Sequence, residues 1–310
     1  AVMDIDETRL SGDLSSIQGN IGGPGMRMDF SAVRKYRSVE AIVADPEVEA
    51  VDICLPTFLH AAVAIEALRA GKHVLCEKPM ALDGDDADAM IVEADRAGRI
   101  LMVAQVLRFF PAYRELSRLV KTGRLGQIRS ALFRRRTAVP AWGPWELDKM
   151  KSGGGVFDLL IHDVDQSQHL FGAPEAISST GWEDMANGID TISSEFYYPE
   201  IGQVTITGGW FHRGEYPFSM EFTAIGDRGV VEYSSAGRPV TVYWSDGRKE
   251  GLNPEEKDSY QAELEYFLDC CRLGRQPDEC PPVESSMAVK LTKLMVDARE
   301  RKGEKVKCPF

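Results

Sequence analysis

Hydrophobic and polar positions follow two different patterns along the chain, and the change falls near Gln105. Before it, short apolar runs of the kind found in buried strands alternate with segments whose apolar side chains recur at helical spacing. The predicted strands are Val51 to Leu55, Lys72 to Cys76 and Ile100 to Ala104. The predicted helices are Ser38 to Ala44, His60 to Ala70 and Gly84 to Ala97. This alternation predicts a parallel sheet with helical crossovers.

Strand-like runs dominate the chain beyond Gln105, after one amphipathic helix predicted at Ala112 to Lys121. These runs are Ile128 to Arg135, Ala176 to Trp182, Thr191 to Tyr198, Gln203 to Trp210, Ser219 to Ile225, Gly229 to Tyr233 and Val240 to Trp244. Two late helices, Ser259 to Cys271 and Ser285 to Arg301, would cover one face of this sheet or return to the first domain. We therefore expect an α/β domain over residues 1–104 and an α+β domain over residues 105–310, with a mostly antiparallel, open-faced sheet.

Composition and charge restrict the kinds of partner. The 310 residues, 44% of them hydrophobic, suffice for two domains with cores of their own. The 48 acidic and 36 basic side chains give a net charge of −12, which repels phosphate backbones and anionic membranes. Arg134, Arg135 and Arg136 lie in a predicted strand, where neighbouring side chains point to opposite faces, so we expect them to be solvated or ion-paired. No nucleic-acid or membrane partner is expected.

The six cysteines have no paired CxxC spacing, and Cys54 and Cys76 lie in apolar runs typical of buried thiols. Reduced thiols fit a reducing compartment, so we expect a cytoplasmic protein. No stretch approaches the roughly 18 apolar residues that a bilayer-spanning helix needs.

Candidate chemistry lies in two segments. Glu77, Lys78 and Pro79 directly follow the strand that ends at Cys76, at the sheet edge where open α/β folds bind ligands. Three glycines, 153–155, then precede a predicted helix on which Asp158 and His162 are four positions apart and share a face. A lysine, an aspartate and a histidine would then converge in one cleft.

These two segments, with the sequence around them, resemble the Gfo/Idh/MocA family of nicotinamide-dependent sugar and polyol oxidoreductases. The first motif comprises Leu55, Pro56, Thr57, His60, Ala67, Leu68, Gly71 to Val74 and Glu77 to Pro79. The second comprises Arg108, Phe109, Pro111, Gly123, Gly126, Gly153 to Gly155, Asp158, His162, Asp163 and Asp165. Both motifs occur in the order of the family, and the resemblance as a whole spans nearly the entire chain.

The resemblance implies hydride transfer between NAD and a secondary hydroxyl or ketone of a sugar, inositol or related polyol. It makes His162 the general acid/base, with a pKa near its ordinary value, and gives Asp158 the task of orienting His162 or the substrate hydroxyl. Lys78 would stabilise the alkoxide, and the family typically holds the Lys78–Pro79 bond in the cis form. Homodimers or homotetramers, formed through the sheet of the second domain, are expected.

For the cofactor, the resemblance assigns Asp4 to the ribose hydroxyls, where its charge would favour NAD over NADP. The other residues that it assigns to cofactor binding are Pro56, Thr57, His60, Glu77, Lys78, Gln105 and Arg108. A glycine-rich phosphate turn precedes the ribose-binding acid by ~20 residues in this fold, so we expect that turn, with the first strand and the first helix of the family, to lie upstream of Ala1. Gly19 to Gly25 follows the acidic residue and is interpreted as a loop.

Several alternatives stay open. His162 would be a core histidine if it stood alone, and Asp4 would be a helix cap. Asp158, His162, Asp165 and His169 have the spacing of a helical metal face, but we expect no metal, because the metal would compete for the same imidazole. Trp142 and Trp145 suit packing as well as they suit a sugar pocket. The same fold also allows an NAD-using glycosidase or a non-catalytic nucleotide sensor.

Overall fold

The structure is a computed structural model that describes residues 1–310 apart from 18, 20–24, 141, 142, 144, 213–215 and 254–256, with the side chains of 211 and 212 also left out. Trp142 and most of the Gly19 to Gly25 segment therefore lie outside the described residues. No described helix is long and apolar enough to cross a membrane.

The first part of the chain forms parallel strands separated by helices, as the alternating pattern predicts. The strands are β1 (Val2–Met3), β2 (Lys35–Tyr36), β3 (Ala50–Ile53), β4 (His73–Cys76) and β5 (Leu101–Val103). The helices are α1 (Glu7–Leu10), α2 (Val39–Val43), α3 (His60–Arg69) and α4 (Gly84–Ala97). Strands β1 and β2 form one small sheet, and β3, β4 and β5 form another in that order. All five strands are therefore parallel to their neighbours.

The second part is built on a nine-stranded sheet, with helices α5 (Pro111–Lys121), α6 (Lys149–Ser152), α7 (Gly155–Phe171), α8 (Ser259–Leu273) and α9 (Pro282–Glu300). Its strands are β6 (Ile128–Ala138), β7 (Ala176–Asp184), β8 (Ile189–Tyr197), β9 (Gln203–His212), β10 (Ser219–Gly226), β11 (Gly229–Ser234), β12 (Arg238–Trp244), β13 (Lys249–Gly251) and β14 (Val306–Lys307). The strand order is β13-β12-β11-β10-β6-β9-β8-β7-β14. Every neighbouring pair is antiparallel except β6 and β9, which confirms a mostly antiparallel sheet.

The two faces of this sheet differ because side chains alternate along each strand. One face carries the core, including Phe133, Phe196 and Phe222, and helices α7 and α9 pack against the sheet. The other face is solvated in the part of the chain that the structure describes, and Leu132 and Ile225 are exposed on it. The sheet is therefore open on one side, as expected.

The arginine run in β6 shows the same alternation. Arg135 points into the core and pairs with Asp163, whereas Arg134 and Arg136 point outward and share Glu221. The three side chains form no single basic patch, and all three are ion-paired, as the strand pattern predicts.

Helices α8 and α9 return to the first part of the chain, which was one of the two expected arrangements. Phe267 of α8 belongs to a core cluster with Leu75 and Met102 of the parallel sheet. On α9, Lys290 donates to Asp88 of α4 at 2.7 and 2.8 Å. The two helices therefore connect the two sheets and fix the cleft between them.

Candidate active site

A cleft with a volume of about 380 Å³ lies where the chain leaves the parallel strands. Cys54 and Thr57 follow β3, Glu77 and Lys78 follow β4, and Leu107 follows β5. The second domain closes the cleft with Phe110, Arg135, Trp145, Asp158, His162, Phe218, Met220 and Tyr260. The carboxyl ends of parallel strands are the usual ligand site of an open α/β sheet. The two predicted motifs therefore meet in one cavity.

Lys78 and Asp158 form an ion pair across the cleft. The Lys78 Nζ atom donates to Asp158 Oδ1 at 3.0 Å and to the Asp158 carbonyl oxygen at 3.2 Å. The two side chains are only 18% and 14% exposed, so solvent screens their attraction weakly. The Lys78–Pro79 bond is cis, as the resemblance implies.

The glycines before α7 allow its first turn to enter the cleft. Gly153 and Gly154 have φ angles of +81° and +91°, a region that other residues rarely adopt. A Cβ atom on Gly155 would lie 2.4 Å from the Trp210 ring, which is a severe overlap. Asp190 Oδ2 accepts a hydrogen bond from the Val156 amide at 2.9 Å, which satisfies one unpaired N–H of the helix start. These contacts fix where α7 presents Asp158 and His162.

His162 lines the cleft with an imidazole whose Nδ1 is buried without a hydrogen-bond partner among the described residues. Burial, followed by the charges of Lys78 and Arg135, holds the pKa of His162 well below its ordinary value. This result corrects the expectation of a pKa near 6.5 and makes the ring neutral at neutral pH. The described residues form no hydrogen bond between His162 and Asp158, whose carboxylate pairs with Lys78 instead.

The remaining polar side chains of α7 have different partners, so they do not form a metal face. Asp163 accepts from Arg135 at 2.8 and 3.1 Å, and Asp165 accepts from Arg108 at 2.9 and 2.6 Å. His169 lies 3.1 Å from Glu284. No group of three or more His, Cys, Asp or Glu side chains suited to a metal occurs in the part of the chain that the structure describes.

Two residues that the resemblance assigned to the cofactor have other partners. His60 is buried, with Nδ1 2.8 Å from the Pro79 carbonyl oxygen and Nε2 2.7 Å from that of Leu55. The Arg108 guanidinium is enclosed by Asp165, by Glu284 at 2.7 Å and by the Glu279 carbonyl oxygen at 2.9 Å. Both side chains hold the loops of the cleft together, and a direct contact of either one with the cofactor stays a prediction.

Four other residues that the resemblance assigned to cofactor binding follow the ends of β3, β4 and β5. Thr57 and Glu77 line the cavity, and Pro56 precedes Thr57. Gln105 is 1% exposed, yet both polar atoms of its amide lack a partner among the described residues. A buried amide without partners is costly unless a ligand satisfies it. Gln105 does not itself line the cavity but directly precedes Val106 and Leu107, which do. Its amide fits a ligand that carries both hydrogen-bond donors and acceptors, such as a nicotinamide nucleotide.

Asp4 lies directly after β1, with its carboxylate 24% exposed. Its Oδ1 atom accepts from the Asp6 amide at 2.9 Å, whereas Asp6, not Asp4, caps α1 by accepting from Thr8 N at 2.8 Å. Arg9 Nη1 lies 3.6 Å from Asp4 Oδ2. The helix-cap alternative for Asp4 is therefore wrong. Ile5 and Asp6, the residues next to Asp4 in the sequence, carry no positive charge, but Arg9 brings one close to the Asp4 carboxylate.

The sequence patterns missed several residues of the cleft. Arg135 is part of an arginine run for which only solvation or ion pairing is expected from the sequence. Phe218 directly precedes the predicted strand Ser219 to Ile225, and Tyr260 lies in a helix predicted only to cover the sheet or to return to the first domain. Cys54 was expected to be buried but is exposed, because β3 ends at Ile53 and the next residue opens onto the cavity. Because side chains alternate between the two faces of a strand, the alternation along β6 could have placed Arg135 on the inner face with Phe133.

A parallel sheet with a cleft at its carboxyl ends, closed by a second domain on a mostly antiparallel sheet, defines a two-domain protein of the Rossmann nucleotide-binding class. The family model "Oxidoreductase family, NAD-binding Rossmann fold" matches residues 27–105, and the model "GFO/IDH/MocA C-terminal domain" matches residues 113–232. Together they cover more than half of the chain. The protein belongs to the Gfo/Idh/MocA family.

Similar proteins include sugar-converting oxidoreductases. The chain is 37% identical over 181 residues to the uncharacterized oxidoreductase ORF334 of Rhizobium meliloti, covering 57% of this chain and 54% of that protein. It is 40% identical over 134 residues to the 1,5-anhydro-D-fructose reductase of Ensifer adhaerens, covering 43% and 40%. The chain thus spans about half the length, or less, of these two relatives. The structure of aldose-aldose oxidoreductase from Caulobacter crescentus, complexed with glycerol, has a TM-score of 0.79 at 25% identity, covering 88% of this chain and 83% of that one.

Proposed function

We propose that the protein is an NAD-dependent oxidoreductase that interconverts a secondary hydroxyl and a ketone on a sugar, an inositol or a related polyol. The observation that carries this proposal is the convergence of Lys78, Asp158 and His162 in one cleft at the carboxyl ends of the parallel strands. The family relationship, and the sugar chemistry named for the relatives, support the same class of reaction.

His162 would exchange the hydroxyl proton. Its neutral ring has a free lone pair at neutral pH, and because Nδ1 is enclosed by protein, Nε2 is the nitrogen left to serve the cleft. When the substrate is oxidised, the O–H proton would pass to Nε2 while two electrons leave the carbon with its hydrogen as hydride. Lys78 would stabilise the negative charge that develops on the oxygen, and Asp158 would hold the Lys78 ammonium in place.

A bound nicotinamide nucleotide supplies the hydride acceptor or donor for this reaction. Thr57, Glu77 and the unpaired amide of Gln105 are the side chains that would hold the cofactor in the cleft, and Asp4 would accept hydrogen bonds from its ribose. The Asp4 carboxylate would repel a 2′-phosphate and so favour NAD, although Arg9, 3.6 Å away, reduces this repulsion. We also propose a homodimer or homotetramer, formed through the open face of the sheet, and a cytoplasmic location, which suits the six free cysteines.

The test uses the full-length protein with D-glucose, D-xylose, myo-inositol and 1,5-anhydro-D-fructose, each with NAD(H) and NADP(H), followed at the absorbance band of reduced nicotinamide. We expect turnover with at least one compound, and NAD preferred over NADP. Lys78→Ala and His162→Ala should each lower kcat by about 10²–10⁴-fold. Lys249→Ala, at an exposed lysine on the edge strand β13, should leave kcat unchanged.

The outcomes distinguish the proposal from its rivals. Cleavage of an aryl glycoside without net accumulation of NADH would replace it with the glycosidase function. Nucleotide binding without turnover of any compound would indicate a non-catalytic sensor. Full activity in Lys78→Ala or His162→Ala, with the fold intact by circular dichroism, would refute the assigned roles.

A further inference from the structure

The second domain places a buried cation in the wall of the cleft. Arg135 of β6 is 2% exposed, yet it lines the cavity together with Lys78 and His162. A buried guanidinium needs a counter-ion and partners for its hydrogen-bond donors. Asp163 supplies the counter-ion, accepting from Nε at 2.8 Å and from Nη2 at 3.1 Å. This two-pronged pair with α7 fixes the orientation of the guanidinium plane.

One nitrogen of this guanidinium retains hydrogen-bonding capacity. Nε and Nη2 are used by Asp163, and Nη2 also lies 3.5 Å from the hydroxyl of Tyr113. Nη1 carries two N–H groups, but its only acceptor among the described residues is the Met220 thioether at 3.6 Å. A thioether is a weak acceptor. Nη1 therefore has at least one donor available for a strong acceptor brought in by a ligand.

The charges around the cleft favour an uncharged ligand. Each cation in the wall already has a carboxylate partner, since Lys78 pairs with Asp158 and Arg135 pairs with Asp163. Glu77 adds a further acidic group. With no net positive charge left over, the cleft has no electrostatic preference for an anion. The Arg135 donor suits a hydroxyl oxygen better than a carboxylate, which would need an unpaired cation.

Aromatic side chains beside Arg135 add a surface that suits a sugar ring. The Arg135 guanidinium lies 5.8 Å from the centroid of the Phe218 ring, and Trp145 and Tyr260 line the same cavity. Aromatic faces bury the C–H faces of a ring, while polar groups such as Nη1 bind its hydroxyls.

We propose that Arg135 is a substrate-recognition residue, whose Nη1 donates a hydrogen bond to a hydroxyl of an uncharged sugar or cyclic polyol at a carbon other than the one that reacts. This inference rests on the proposed function and adds to it a residue that sets specificity. Lys78 and His162 act on the reacting hydroxyl, and Arg135 selects the substrate by a second one.

The experiment compares Arg135→Lys with Arg134→Lys in the full-length enzyme. Lysine keeps the positive charge beside Asp163 but lacks the forked donor geometry. The control changes the neighbouring residue of the same strand in the same way, on the opposite face, where Arg134 pairs with Glu221. We expect Arg135→Lys to lower kcat/KM about 10- to 100-fold, mostly through a higher KM, and Arg134→Lys to change neither constant.

Monodeoxy analogues of D-glucose and of myo-inositol then locate the hydroxyl. With the wild type, one analogue should have a kcat/KM about 10- to 100-fold lower than that of its parent compound, because it lacks the hydroxyl that Arg135 binds. In Arg135→Lys, that analogue and its parent should react equally well, since neither forms the bond. Should Arg135→Lys fail to fold, the double variant Arg135→Gln/Asp163→Asn removes both charges together and is tested against the same analogues.

The inference would be overturned if the Arg135 variants lowered kcat/KM by the same factor for the parent compound and for every analogue. Such a uniform loss would indicate a structural effect or an effect through His162. A higher kcat/KM for D-glucuronate than for D-glucose in the wild type would overturn the uncharged class. If the wild type converts no compound at all, the proposed function and the inference about Arg135 both fail. If Lys78→Ala and His162→Ala abolish turnover while Arg135→Lys has no effect, only the inference about Arg135 fails.

Discussion

Burial holds two ionisable side chains near the cleft, His162 and Glu263, in their neutral forms. Glu263 on α8 is 3% exposed, and its Oε1 atom has no hydrogen-bond partner among the described residues. Burial, followed by the charges of Glu77 and Asp52, raises the pKa of Glu263 to about 9. The cleft therefore carries fewer charges at neutral pH than its sequence implies.

We predict that Glu263→Gln stabilises the protein in a pH-dependent way. The folded-state pKa of Glu263 lies above its ordinary value of 4.5, so the unfolded chain releases the proton first. Its contribution to the free energy of unfolding is complete below pH 4.5 and is lost as pH rises toward 9. Glutamine resembles the protonated acid, and the variant should gain on the order of a few kcal/mol at pH 9 and nothing at pH 4.5. Urea unfolding at both pH values measures the difference.

Glu265→Gln is the matched control, since it makes the same change on the same helix at an exposed side chain that pairs with Lys257 at 2.8 Å. That pairing lowers the pKa of Glu265, so its removal should bring no gain at pH 9. An equal stabilisation by Glu263→Gln at both pH values would contradict the titration and indicate a packing effect.

The residues of the cleft differ in how well the local sequence predicts their positions. Local geometry suffices to predict that Asp158 and His162 share a helix face and that Lys78 lies at the end of a strand. The meeting of Lys78 with Asp158, 80 residues further along the chain, is a tertiary contact, and only the family resemblance implied it. Arg135 could not be recognised in the same way. Its role depends on Asp163, on a different element, and on a strand register that follows from sheet packing.

At the scale of elements, the start of α7 decides whether the candidate site forms. The tight turn at Gly153 and Gly154 leads into a helix whose first residues touch Trp210 and Asp190. Because Asp158 and His162 lie within the first two turns, a displacement at Gly155 moves both. The glycine motif therefore positions the chemistry without contacting a substrate.

We predict that Gly155→Ala destabilises the protein by about 1–3 kcal/mol, since its Cβ atom would lie 2.4 Å from the Trp210 ring. The shift should separate Asp158 from Lys78 and lower kcat together with the melting temperature. Gly251→Ala is the control, because a Cβ atom there meets nothing within 4 Å. An unchanged kcat and melting temperature in Gly155→Ala would mean that Trp210 yields easily and that α7 is not held by this contact.

Most helices and strands could be predicted from the spacing of apolar residues and from the glycines that end helices, because both signals depend on only a few neighbouring residues. Helix α4 begins at Gly84 and ends at Ala97 as its pattern predicts, with Gly98 left-handed at its end. The short strands β2, β13 and β14 were missed, since two or three residues carry no period. The parallel pairing of β6 with β9 joins segments about seventy residues apart in the chain, and no local pattern encodes it.

At the scale of the whole molecule, α9 makes one unit of the two domains. It packs on α7 and β7 of the second domain and on α4 and β5 of the first. Ser286 and Lys290 both donate to Asp88 of α4. Since the cleft takes Lys78 from one domain and His162 from the other, its geometry depends on this connection.

The open face of the nine-stranded sheet is the surface on which we expect a second copy to bind. Leu132, Ile225 and Tyr243 are 37%, 42% and 40% exposed there. Leu132 lies on a central strand, opposite Thr223 of β10 and Thr205 of β9. A broad sheet face with exposed apolar side chains, and no covering helix in the described ranges, is typical of an interface between identical subunits.

We predict that the wild type is a dimer or tetramer at micromolar concentration, as measured by light scattering, and that Leu132→Arg shifts it toward the monomer. The added cation would lie beside Arg134 and Arg136, in the middle of the face, and burial against a partner would leave it without a counter-ion. Leu264→Arg, at a leucine of similar exposure on α8, should leave the mass unchanged. A monomeric wild type, or an unchanged mass in Leu132→Arg, would show that this face does not join subunits.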